Sequence, residues 1–281
     1  MASSRRTRPF RQVDVFTEVP YYGNPLAVVL DGEGLSTEEM QRFANWTKLS
    51  ETTFLLPPTD PGADYRVRIF TPGAELPFAG HPTLGTCTAW LESGGKPRSD
   101  ARIVQQCTAG LIELRRIENG LAFAAPPLVR SGPVEEETIQ QVADGLGIRR
   151  SDIVDCEWVD NGPGWVGVLL ASAEAVLALQ PVRIDLDIGV AGPHPPGAPE
   201  SWEVRAFSPK LHGGGEDPVT GSFNASLAQW LLRTGRVKAP WKARQGTALG
   251  RAGRIHLDQD DRGQVWVGGS TVTCVTGEVV L

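Results

Sequence analysis

A motif met twice constrains this chain more than any single residue does. Arg68-Ile69-Phe70-Thr71-Pro72 recurs as Arg205-Ala206-Phe207-Ser208-Pro209. Behind the first copy runs Gly80-His81-Pro82-Thr83-Leu84-Gly85-Thr86, and behind the second Glu216-Asp217-Pro218-Val219-Thr220-Gly221-Ser222. Both fit x-x-Pro-x-x-Gly-[Ser/Thr], at an offset of about 136 residues. A third echo pairs Gln106-Cys107-Thr108-Ala109-Gly110 with Gln245-Gly246-Thr247-Ala248-Leu249-Gly250. A repeat of half the chain is too long for a solenoid and predicts two copies of one domain. In this register His81 falls opposite Asp217, which predicts an asymmetric site between two like-folded halves.

The 281 residues accommodate two domains of ordinary size, expected at 1–128 and 129–281, with the link in the Pro/Gly-rich stretch from Pro126 to Pro133. A net charge of −6 offers no basic footprint, so nucleic acid is not an expected partner. No apolar run approaches the ~18 residues of a membrane helix, and no membrane partner is expected. Ser3-Ser4-Arg5-Arg6 briefly resembles a twin-arginine leader. The alternating Val13-Asp14-Val15-Phe16 follows in place of an apolar stretch, so the segment reads as a basic terminus and the protein as cytoplasmic. Cys87, Cys107, Cys156 and Cys274 are scattered and read as small buried apolar residues. His81, His194, His212 and His256 show no ligand spacing, and no metal is expected.

Strand-like runs outnumber helical ones in both halves, among them Leu26 to Leu30, Thr53 to Leu56, Tyr65 to Phe70, Trp165 to Leu170 and Trp202 to Phe207. Helices are expected from Thr37 to Trp46 behind a Ser36 cap, and from Glu135 to Leu146 ahead of Gly147. Two more are expected from Pro82 to Leu91 and from Pro218 to Leu232, each with proline in its first turn. The balance predicts an α+β fold, a curved sheet in each domain packed on one main helix.

The chemistry is expected where each repeat passes from strand to helix. A helix N-terminus offers unspent N–H groups and the positive end of the dipole, a setting for carboxylate or phosphate. Two such ends would suit a small anionic substrate. Glu51, in Ser50-Glu51-Thr52-Thr53-Phe54, stands at a helix-to-strand junction, where partial burial makes a carboxylate a stronger base.

These segments resemble one family. LSETTF, RIFTPGAELPFAGHPTLGT, EDPVTGS and QGTALGR, with the earlier GNPLAVV, are similar to the PhzF-like isomerases of phenazine biosynthesis, and the resemblance runs from about Phe10 to the C-terminus. It implies a diaminopimelate-epimerase-like fold: two pseudo-symmetric domains, each a barrel-like sheet around a central helix, with the active site between them. In the phenazine enzyme a glutamate moves a proton on trans-2,3-dihydro-3-hydroxyanthranilate without metal or organic cofactor, helped by a histidine and an aspartate. Carried over by motif, these are Glu51, His81 and Asp217, with Gly80, Gly221 and Ser222 as substrate-binding donors. The resemblance also implies a homodimer and no cofactor. The related epimerases use two cysteines, and neither Gly80-His81 nor Glu216-Asp217 supplies one.

The sequence departs from the family pattern at Lys48, at a longer loop Leu211 to Gly215, at Phe223 and at Cys87, all expected near the cleft. The expected activity is a cofactor-independent proton shift on a small carboxylated, amine-bearing metabolite. An amino-acid racemase or epimerase and a non-catalytic small-molecule binder are the alternatives.

Overall fold

A computed structural model describes residues 5–209 and 215–281; of the long loop expected at Leu211 to Gly215, residues 211–214 lie outside the described residues. The chain divides into two compact units, the first made of residues 1–124 and 268–281, the second of 125–267. The first contains strands β1 (Thr7–Val15), β2 (Asn24–Val29), β3 (Glu51–Leu56), β4 (Tyr65–Phe70), β5 (Glu75–Leu76), β6 (Ile103–Cys107), β7 (Gly110–Ile117) and β8 (Gly120–Ala124), with helices α1 (Thr37–Thr47) and α2 (Gly80–Glu92). The second contains β9 (Arg130–Pro133), α3 (Glu136–Leu146), β10 (Ile153–Asp160), β11 (Val166–Leu170), α4 (Ala173–Leu177), β12 (Ile188–Pro193), β13 (Trp202–Phe207), β14 (Glu216–Asp217), α5 (Gly221–Arg233), β15 (Trp241–Gln245) and β16 (Gly253–Gln259). β17 (Val265–Gly269) carries the chain back to the first unit, where β18 (Thr271–Val280) lies.

Each unit has the same order of strand pairing. In the first, β2 pairs with β3 in parallel, β3 with β4 and β4 with β5 antiparallel, then β4 with β6 in parallel. In the second, β11–β12, β12–β13, β13–β14 and β13–β15 repeat that series. The flanking strand shows where the sequence division differs from the structure. β9 pairs with β10, but its counterpart against β1 is β18, paired from Thr7↔Val280 to Val15↔Thr271. Residues 268–281 therefore belong to the first unit and not to a domain 129–281. A strand's period-2 pattern records its faces and not its partner, so this return was not readable in the sequence.

The repeated Arg-x-Phe has a structural cause. Arg68 donates to both oxygens of Glu75 at 2.8 and 2.6 Å, and Arg205 to both oxygens of Glu216 at 3.0 and 2.7 Å. Each guanidinium carbon also lies 5.0 Å from a ring centroid, Phe70 in one unit and Phe207 in the other. Each motif thereby ties its short strand, β5 or β14, to its neighbour.

A helix occupies the centre of each unit. α2 packs against β1, β2, β3, β8 and β18 of an open, curved sheet, and Gly85 lets it approach, since a Cβ there would lie 2.6 Å from Leu26 Cδ2. In the second unit the allowance sits on the sheet: a Cβ on Gly189 would lie 2.0 Å from the ring of Phe223 of α5. α1 covers the other face of its sheet with Met40, Phe43 and Ala44 on Val29, Phe54 and Phe70. It starts at a capping box, with Glu39 N donating to Ser36 Oγ at 3.2 Å and Ser36 N to Glu39 Oε2 at 2.8 Å. α3 ends on Gly147 in the left-handed region, as expected. α4, a single turn capped by Ser172, was not expected.

Candidate active site

In the first unit three side chains meet where β2, β3 and α2 begin. His81 is the second residue of α2, Glu51 the first of β3 and Asn24 the first of β2. His81 Nε2 lies 3.2 Å from Glu51 Oε2, and His81 Nδ1 lies 3.3 Å from Asn24 Nδ2. An amide nitrogen only donates, so Nδ1 accepts and the ring carries its proton on Nε2, toward the carboxylate. His81 is 4% exposed and Asn24 fully buried. Burial drives the His81 pKa down to about 3, so the imidazole is neutral at pH 7. The arrangement sets a carboxylate within 3.2 Å of a buried neutral imidazole without adding a positive charge.

In the second unit the acid is held from behind. Asp217 lies opposite Ala206 on β13, and its Oδ2 accepts from the Thr220 hydroxyl at 2.7 Å. Gln245 binds the same turn with its whole amide. Its Nε2 donates to Asp217 O at 3.1 Å and Thr220 Oγ1 at 2.9 Å, while its Oε1 accepts from Thr220 N at 3.0 Å and Asn224 Nδ2 at 2.8 Å. Ser222 Oγ accepts from Trp165 Nε1 at 3.1 Å, and Ser222 O accepts from Asn161 Nδ2 at 2.9 Å. Neither α2 nor α5 has a side-chain cap hydrogen bond at its N-cap residue, Ala79 or Thr220. Gly80, Gly221 and Ser222 are thus placed at helix starts of the kind that receive anions.

The thiols lie elsewhere. Cys87 is fully enclosed on the body of α2, and desolvation pushes its pKa up to about 12; burial pushes Cys156 up to about 12 as well. A thiol so placed stays protonated and is a poor proton acceptor. Among the described residues no three His, Cys, Asp or Glu side chains are grouped as metal ligands, and no helix is long and apolar enough to cross a membrane.

The sequence model of the phenazine biosynthesis-like family, PhzC-PhzF, matches residues 13–277. This chain belongs to that family. A trans-2,3-dihydro-3-hydroxyanthranilate isomerase of Pseudomonas fluorescens is 37% identical, over 96% of this chain and 98% of its own. The antisense-enhancing sequence 1 protein of Schizosaccharomyces pombe is also 37% identical, over 96% and 97%. A PhzF-family phenazine biosynthesis protein of Bacillus anthracis shares the fold, with a TM-score of 0.82 at 24% identity over 98% of this chain and all of that one. The α+β fold of two like units read from the repeat is therefore the fold of the family, and the chain is an enzyme of its isomerase class.

For this PhzF-like chain the structure brings Glu51, His81 and Gly80 together in the first unit and Asp217, Gly221 and Ser222 in the second. The sequence register that set His81 opposite Asp217 is corrected. Gly80 and Gly221 each open a helix of 13 residues, so the counterpart of His81 is Ser222. Asp217 precedes its helix on β14, where the ladder Ile69↔Leu76 and Ala206↔Asp217 makes Leu76 its counterpart. The segment joining β13 to β14, 208–215, is four residues longer than 71–74, and this shifted the apparent match. Pro82 lies inside α2, whereas Pro218 lies ahead of α5. Two departures expected near the cleft are core residues instead: Cys87, and Phe223, which sits beneath Gly189 and 5.4 Å from the Trp165 ring. Lys48 is the exposed left-handed C-cap of α1, donating to Asn45 at 3.2 Å. Sequence analysis did not single out Asn24 within GNPLAVV; its signal was an asparagine at the head of an apolar strand, where a buried amide needs a polar partner.

Proposed function

We propose that Glu51 is the general base of a cofactor-independent proton shift on a small carboxylated, amine-bearing metabolite of the dihydro-hydroxyanthranilate kind. The observation that carries this reading is the contact of Glu51 with a neutral, buried His81 fixed by Asn24. The ionised carboxylate takes a proton from an activated carbon as that C–H bond breaks and an O–H bond forms on Glu51. The electron pair moves through the conjugated system, and Glu51 returns the same proton to another carbon. His81 orients the carboxylate through Nε2–H and exchanges no net charge. Asp217 holds a heteroatom of the substrate, and the N-terminus of α5 at Gly221 and Ser222 takes its carboxylate and developing negative charge. Every step balances within substrate and protein, so the reaction requires no oxidant.

The racemase alternative is disfavoured by the thiols, since Cys87 and Cys156 are held protonated by burial. The test is turnover of trans-2,3-dihydro-3-hydroxyanthranilate in deuterium oxide by wild type and Glu51→Gln. Wild type is expected to convert it, and Glu51→Gln to lose at least about 10³-fold in kcat with an unchanged melting temperature. Retention of more than a tenth of wild-type turnover by the glutamine variant would make Glu51 structural.

A further inference from the structure

The outer face of the first unit has a cavity bordered by an unpaired cation. Alternate strand residues share a face, so Arg66, Arg68 and Phe70 of β4 lie on one side of the sheet. Phe70 packs with Met40, Phe43 and Ala44 of α1, and Arg68 donates to Thr37 Oγ1 at 2.9 Å, so this is the α1 side. Tyr65 lies on the other side, its ring 4.9 Å from that of Trp90 of α2, and Glu51 meets His81 of the same helix. The α1 side is therefore across the sheet from the candidate base.

A cavity of about 760 Å³ opens there, bordered by Leu35, Met40, Leu56, Pro57 and Arg66. Such a volume suits a small molecule. One wall is held in place by Gln106, which pairs with Arg66 across β4 and β6. Its Oε1 accepts from Thr59 N and Asp60 N at 2.8 and 3.1 Å, and its Nε2 donates to Thr59 Oγ1 at 2.7 Å. Two carboxylates also border the cavity. Glu75 is taken up by Arg68 through both oxygens, and Glu33 is exposed to solvent. Arg66 forms no hydrogen bond or ion pair among the described residues, and its Nε is enclosed without a partner. Enclosed donors are ordinarily satisfied, so this guanidinium calls for an explanation.

The second unit fills the equivalent place. Arg205 answers to Arg68, so Glu203, two residues earlier, answers to Arg66. Arg244 stands opposite Glu203 as Gln106 stands opposite Arg66. The Glu203 carboxylate is fully buried and closed on its own partners: Thr247 Oγ1 donates to it at 2.6 Å, His194 Nε2 lies 3.0 Å away and Arg244 Nε 3.7 Å away. One unit surrounds the charge at this position with protein groups; the other leaves it beside a cavity.

We propose that this cavity is a second binding site, for a small carboxylate with an apolar body. Arg66 donates to the carboxylate, which matches the planar fork of a guanidinium, while Leu35, Met40, Leu56 and Pro57 cover the body. The ligand supplies the partner that the protein itself supplies around Glu203. The site does not depend on the role of Glu51.

The chain contains two methionines, Met1 and Met40, so carbon-13 labelling of the methionine methyl groups gives one signal at the cavity and one at the N-terminus. Met40→Leu assigns them. Titration of wild type with 4-phenylbutyrate is expected to move the Met40 signal saturably and leave Met1 in place. The uncharged 4-phenylbutanamide should bind at least about tenfold more weakly, the size of one charge-assisted hydrogen bond. Acetate, with almost no apolar surface to bury, should also be at least about tenfold weaker. Arg66→Gln should lower 4-phenylbutyrate affinity by at least about tenfold with an unchanged melting temperature. No saturable shift at Met40, equal affinity for the acid and its amide, equal affinity for acetate, or unchanged affinity in Arg66→Gln would each overturn the proposal. If Arg66→Gln does not fold, the comparison of acid, amide and acetate on wild type still decides it. Turnover is not read, so either result leaves the reading of Glu51 where it stands.

Discussion

In the first unit the second residue of the central helix is His81, a buried neutral imidazole in contact with a carboxylate; in the second it is Ser222, a hydroxyl held by an indole. The acids are displaced in the same way. Glu51 stands at a strand start and meets the ring directly, whereas Asp217 stands on β14, where the first unit has Leu76, and meets a threonine backed by glutamine. Duplication supplied the ladder, the Arg-x-Phe clasp and the helix start to both units. The chemistry then diverged at positions the scaffold leaves unspecified. On the proposed reading one unit moves the proton and the other holds charge and donors in place.

The sharpest way to break this comparison is kinetic. Asp217→Asn should lower kcat by about 10²-fold and also weaken 2-aminobenzoate binding, in contrast to Glu51→Gln, which should spare binding. Steady-state kinetics with parallel titrations decides it; equal effects on binding from both variants would erase the division of labour.

A second contrast concerns stability. The Arg205–Glu216 side chains are 7% and 7% exposed, the equivalent Arg68–Glu75 pair 24% and 28%. Glu216→Ala strands a buried guanidinium and should cost about 3–5 kcal/mol. Glu75→Ala should cost about 1 kcal/mol or less, because solvent screens the remaining charge. Urea unfolding of both variants measures the difference, and equal losses would show that burial does not distinguish the two clasps.

The smallest effect is on pH. The His81 pKa is lowered in the folded state, so on acidification the unfolded chain takes the proton first. Stability from the neutral ring is whole above pH 6.5 and is lost as pH falls toward about 3. Between pH 7 and 5.5 wild type should lose about 1 kcal/mol more than His81→Asn. Parallel denaturation curves would sink the idea if the two proteins showed the same slope.

Much of this was legible in the sequence because it rests on local or repeated chemistry. The doubled Arg-x-Phe marked two units, Ser36 with Glu39 marked the start of α1, and Gly147 marked the end of α3. Glu51 and His81 were legible through family motifs. Their mutual contact was not, since it depends on two chain segments thirty residues apart beginning at one end of a sheet. The repeat register that set His81 opposite Asp217 was misread because similar Pro-x-x-Gly spellings fall on different elements when a linking loop lengthens.

The strand that completes the first unit is made only after the whole of the second. During synthesis the segment 125–267 leaves the ribosome as one continuous stretch with all its own strands, while β1 must wait for β18. Until then one side of β1 is a bare edge, able to pair with any extended chain nearby. A ribosome stalled before Thr271 therefore releases a product whose second unit is whole and whose first unit is sticky. The order of translation makes the unit carrying Glu51 the more vulnerable to aggregation.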